Sequence, residues 1–202
     1  MSLIASANTA SEITPLKEGT YLAVCNMLVD LGMQYNETYK NSSAKILIGW
    51  ELPDETYEYN GEIHHKTLSK RYTNSLSDKS NLRQDLISWR SRDFTQEELA
   101  AFDLKNIVGK SCLITVIHRE SNGKTYANIS SIAALPKGFA KGQLSEPPIV
   151  FDLDKDDLSV IDKLPAWIGE IIKKSSTYEE RLAEPAKITE VSFDDSEEQL
   201  PF

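Results

Sequence analysis

The chain runs in two rhythms. Residues 20–35, "TYLAVCNMLVDLGMQY", form a long apolar and β-branched run that predicts a first strand. "AKILIGWEL" (44–52) predicts a second, with Pro53 as its stop and Gly49 as the mark of a bulge or sharp bend. "PDETYEYNGEIHH" (53–65) reads as a long loop or irregular hairpin, and "KTLSKRYTNSL" (66–76) as a third strand. The period then changes. In "SDKSNLRQDLISWR", Leu82, Leu86 and Trp89 fall at i, i+4 and i+7, a helical stripe. Thr95 and Glu98 stand at capping-box spacing and Phe94 and Leu99 at staple spacing, so a second helix is predicted from there to about Leu104, with Gly109 closing the connection. "SCLITVIHR" and "KTYANISSIAAL" read as two further strands joined by the short turn "ESNG". In the second of these, Ala127 and Ile129 are expected to face one way and Lys124, Tyr126 and Asn128 the other.

Three strands, a helical insert and two strands is the order of an OB fold, a five-stranded Greek-key barrel. The expectation is therefore a mainly β chain with helices between strands three and four. Another small β-barrel, or an α+β sheet of the same order, is the rival. After Leu135 the pattern fails: "PKGFAKGQLSEPP" reads as a linker. "LSVIDKLPAWIGEIIKK" is amphipathic and helical, with Trp167, Ile168, Ile171 and Ile172 clustered and Pro165 suited to a first helical position. This patch is expected to dock on the barrel or to form a dimer contact. Residues from about 183 are acid-rich and apolar-poor, and disorder is expected there. The organisation is then 1–18 flexible, 19–138 barrel, 139–182 linker and helical segment, and 183–202 acidic tail.

Charge sharpens that division. Residues 1–145 hold 16 basic and 16 acidic side chains, whereas 146–202 hold 6 and 15, so the whole net charge of −9 lies in the C-terminal quarter. Cys25 and Cys112 lie far apart in apolar runs and suggest buried free thiols rather than a disulfide or zinc site. The first residues carry no basic region followed by an apolar stretch, so no secretion signal is expected, and the expected compartment is the cytoplasm.

The familiar catalytic and metal patterns fail. "IVGKS" lacks the first glycine of a phosphate loop, because that position is Leu104. "DLDKDD" places Asp152, Asp154 and Asp156 like calcium ligands, but Asp157 stands where glycine is needed and Lys163 where glutamate is needed. His64 and His65 are adjacent and would point to opposite faces of a strand. No nucleophile motif is present, so no catalytic residue, metal or cofactor is assigned.

What the body does offer is basic and aromatic residues interleaved. Basic groups track phosphates and rings stack on unpaired bases. Tyr35, Tyr39 and Lys40 follow the first strand; Lys66, Lys70, Arg71 and Tyr72 lie on the third; Arg119, Lys124 and Tyr126 lie on the last hairpin; Trp50 completes the candidate DNA-binding set. Trp50 and Tyr72 also suit a barrel interior, as does Trp89 on its helical stripe.

The segment "SFDDSEEQLPF" resembles the acidic tail of bacterial single-stranded DNA-binding proteins, which carry a run of Asp followed by Ile-Pro-Phe. The matching residues are Asp194, Asp195, Glu197 and Glu198, then Leu200, Pro201 and Phe202, with Leu in place of Ile. "KILIGWELPDE", "RYTNSL", "NLRQDLISWRSRDFTQEELAAFDLKNIVGKSCLITVIH" and "KTYANISSIAALPKG" resemble bacteriophage and prophage replication proteins of the single-stranded DNA-binding class, over roughly residues 18–138. The resemblance implies an OB fold, non-specific coating of single-stranded DNA in phage replication and recombination within the bacterial cytoplasm, and no catalysis. It also implies recruitment of replication or recombination proteins through the tail, by capture of the Phe202 ring and its carboxylate. A protein-interaction adaptor and a strand-annealing recombination protein are the alternatives, and self-association is a further candidate interaction.

Overall fold

The computed structural model describes residues 15–183. Five long strands form one curled antiparallel sheet. They are β1 (Gly19–Asn36), β2 (Asn41–Tyr59), β3 (Glu62–Thr73), β4 (Ser111–Ser121) and β5 (Lys124–Ala133). Their order across the sheet is β3-β2-β1-β4-β5, and curling brings the outermost strands, β3 and β5, into contact. A short strand, β6 (Ile149–Phe151), adds parallel to β1 at Met27–Val29. The predicted order of five strands and a helical insert is therefore found. No helix among the described residues is long and apolar enough to cross a membrane.

Pro53 does not end β2. It lies where the β2–β3 register slips between Leu52 and Thr56, so its missing N–H costs the ladder nothing. Pairing then resumes to Tyr59 and Glu62 across a turn at Asn60 and Gly61, whose φ values of 53° and 82° suit the Asn-Gly turn that matches strand twist. The expected loop over 53–65 is thus the outer half of a long hairpin. Gly49 answers to its reading: β1 bulges between Cys25 and Met27 opposite it, and a Cβ there would lie 2.9 Å from Met27 Cβ. Along β5 a register slip beside Ser130 breaks strict alternation, so Ile129 and Ile132 both turn toward the core.

The insert holds α1 (Asn81–Arg90) and α2 (Gln96–Ala100). The Thr95–Glu98 capping box is present in both directions. α2 stops four residues before Leu104, because Asp103 accepts from Lys105 N at 2.9 Å and starts a separate 3-10 turn, Leu104–Ile107. α1 lays Leu82, Leu86 and Trp89 into the principal core with Trp50, Ile48, Cys112 and Ile114.

The chain then crosses back. Residues 136–148 have no regular structure but are held down: Ser145 N and Oγ donate to the two oxygens of buried Glu51 at 2.8 and 2.7 Å. A 3-10 turn (Leu158–Lys163), α3 (Ala166–Ile172) and α4 (Ser176–Ala183) cover the other face of β1 and β2. Phe151, Leu153, Ile161, Ile168 and Ile172 pack there on Val29, Leu31 and Leu47. Ile168 and Ile172, two members of the patch predicted as a docking surface, are spent inside this second core, while Trp167 stays exposed.

Candidate nucleic-acid interface

β3 is the spine of the site, and its alternation decides which candidates are available. Lys70 and Tyr72 turn toward α1, where both reach one carboxylate: Asp85 Oδ2 accepts from Lys70 Nζ at 2.6 Å and from the Tyr72 hydroxyl at 2.7 Å. Burial, then the charge of Asp85, pushes the Tyr72 phenol far above its ordinary range. Tyr72 is 4% exposed and Trp50 fully buried, with its ring tilted against Trp89 at 5.9 Å. Neither ring offers a face to a base, and the Lys70 charge is already matched. Trp50 and Tyr72 are thereby corrected to structural roles, filling the core and pinning β3 to α1, whereas Lys70, though paired with Asp85, still borders a surface hollow.

Arg71 turns the opposite way, beside Leu47 of β2. It joins two surface hollows. One is lined by Tyr35, Lys45, Arg71 and Lys79, between the end of β1, β3 and the start of α1. The other is lined by Arg71, Arg119, Ala127, Asn128 and Trp167, along the seam where β3 meets β5. A third hollow, holding Lys66 and Tyr57, shares Ala127 with the second. Through these shared residues the three hollows adjoin along β3 and together outline a groove. Among the described residues Lys45, Arg71, Lys79 and Arg119 form no ion pair, so their charge is free for a ligand. Lys45 Nζ is steadied by the Thr73 hydroxyl at 2.7 Å.

The groove gathers Tyr35, Lys66, Lys70, Arg71 and Arg119 from the predicted set, and the buried Tyr72 borders it. Tyr39 and Lys40 lie on the turn between β1 and β2, and Lys124 and Tyr126 on the β4–β5 hairpin; all four are exposed but do not line it. Tyr126 stands opposite Arg119 across the ladder, so the hairpin is a lateral extension of the groove. Sequence reasoning missed Lys45, Lys79, Tyr57 and Trp167. Lys45 is the polar member of an apolar run, and Tyr57 alternates with Tyr59 ahead of an Asn-Gly turn; both signals were readable. Lys79 and Trp167 carried none, since only the fold brings them to β3.

The acidic "DLDKDD" stretch gains a partner from β1. Carboxylate oxygens of Asp30, Asp152 and Asp154 lie within 4.8 Å of one another. Burial first, and then the charges of Asp154 and Asp152, raises the pKa of Asp30. Lys155 Nζ pairs with Asp152 at 2.8 Å, so the turn supplies a cation of its own. The tail residues Asp194, Asp195, Glu197, Glu198, Leu200, Pro201 and Phe202 lie outside the described residues.

No protein-family model matches the chain, and a search of curated proteins finds no relative.

Proposed function

We propose that the protein binds single-stranded DNA along the β3 groove, with little sequence preference and without catalysis. The observation that carries this is the joining of two hollows by Arg71, which sets four unpaired basic groups and two exposed rings, Tyr35 and Trp167, on one path. A phosphate backbone needs the bases and unstacked nucleobases need the rings. The strand order and the insert between β3 and β4 support an OB-type barrel, whose second and third strands form the usual ligand face. The acidic residues 194–198, with Leu200, Pro201 and Phe202, are assigned the recruitment of replication or recombination proteins.

Titration of a labelled oligothymidylate at several salt concentrations tests the reading. Binding should weaken with salt at a log–log slope of about −0.7 per neutralised phosphate, or roughly −3 if the four free bases each meet one. The double variant Arg71→Ala, Lys79→Ala should flatten that slope by about 1.4. Removal of residues 194–202 should leave affinity unchanged or raise it, because those acids compete with phosphate at low salt. Magnesium should leave the oligonucleotide intact. Absent or salt-independent binding would overturn the proposal.

A further inference from the structure

We infer that the binding surface is composite: Trp167, on α3 outside the barrel, is a base-stacking residue of the groove. The inference rests on the reading above and assigns one ring to one task. The chain has three tryptophans, and they divide cleanly. Trp50 and Trp89 are 0% and 7% exposed and pack together inside the barrel. Trp167 is 47% exposed, although the next residue, Ile168, is fully buried.

This exposed indole is held in place. Ile168 and Ile172 anchor α3 in the second core. Gly169 lets the helix close on the 158–163 turn, where a Cβ would come within 3.3 Å of Ile161 Cγ2. The Gln34 amide donates to Ile171 O at 2.9 Å and ties the helix to the end of β1. The backbone that carries Trp167 is thus fixed from three sides, and the ring borders the same hollow as Arg71 and Arg119. Rigid placement lowers the entropy lost when a ligand stacks. Cationic groups and an aromatic ring lining one hollow are the pairing that a phosphate and its unpaired base require. Ala127, Ile129 and the Asn128 amide line part of the rest of the hollow, and Asp85, the one carboxylate in its lining, is already paired with Lys70. The C-terminal layer therefore does more than cover the sheet, because it adds an exposed indole to the path that holds Tyr35, while Trp50 and Tyr72 are spent in the core.

Tryptophan fluorescence of the full chain reads this directly, since only one indole is accessible. Oligothymidylate should quench the wild-type signal to saturation, and a duplex of equal length should quench it far less. Trp167→Phe should lose the quench but keep most of the affinity measured by anisotropy. Trp167→Ala should lose both, with affinity down roughly five- to hundredfold for one stacked base. Far-ultraviolet dichroism and the burial of Trp50 and Trp89 serve as the check that each variant is folded. If the wild type binds and Trp167→Ala binds equally well, or if Trp167→Phe still quenches, the inference falls while the proposed function stands. If the wild type does not bind single-stranded DNA, both fall.

Discussion

The two faces of the β1–β2 ribbon make an instructive pair. On one face Ala23, Cys25, Ile46, Ile48 and Trp50 enter the principal core. On the other Val29, Leu31 and Leu47 enter a second core closed by residues 149–172. The first is built from neighbours in the chain and from a helical stripe. The second needs the chain to cross back over 136–148 and to squeeze past Gly32. There φ is +71°, and a Cβ would lie 2.7 Å from Ser175 Oγ and 2.8 Å from Leu153 Cδ2. The lesson is that one pair of strands can serve as the wall of a curled half-barrel and as the floor of a separate layer. It is this double use that carries α3, and with it Trp167, to the edge of β3.

The largest break in that comparison should come from the principal core. Trp50→Ala removes a fully buried indole and should cost about 3–5 kcal/mol in chemical denaturation. Because both layers share β1 and β2, the second core should melt with the first. A smaller and more local break is expected from Ile168→Ala. A buried Ile→Ala change costs about 2–5 kcal/mol, and hydrogen exchange should show that loss in 149–183 while β4 and β5 keep their protection. Equal loss of protection in β4 and β5 would mean that the two cores open as one unit.

Much of this was legible in the chain. The capping box, the helical stripe, the Gly49 bulge and the order of five strands all rest on local chemistry that a short window contains. The unbroken run Ile46, Leu47, Ile48 is what burial on both faces looks like, since a half-buried strand would alternate. Two things escaped. Pro53 signals a stop only if the ladder needs its N–H, and a register slip removes that need. The groove escaped in part because it is a seam between strands far apart in sequence. Arg71 and Arg119 were found by residue type, but no local signal says that Lys70 meets Asp85, that Tyr72 turns inward, or that α3 brings an indole alongside.

Acid offers the finest probe of the same contrast, because the two sides carry carboxylates perturbed in opposite directions. On the side of the principal core Glu98 accepts from Arg90 and Arg92 and is held down to about 2 from an ordinary 4.5. Arg90 is itself seated over the Phe94 and Phe102 rings, so the clamp joins α1 to α2. A lowered carboxylate stabilises the fold above its unfolded value and loses that contribution as the pH falls from about 4.5 to about 2. On the other side Asp30 is raised above 3.8 by burial and by Asp154 and Asp152, so its ionised form is a liability that acid relieves. Acidification should therefore weaken the insert first. Stability followed from pH 4.5 to 2 should fall less in Glu98→Gln than in the wild type, and Asp30→Asn should be neutral or stabilising at pH 7. An acid limb that is the same in Glu98→Gln would show that the clamp is not what the insert loses.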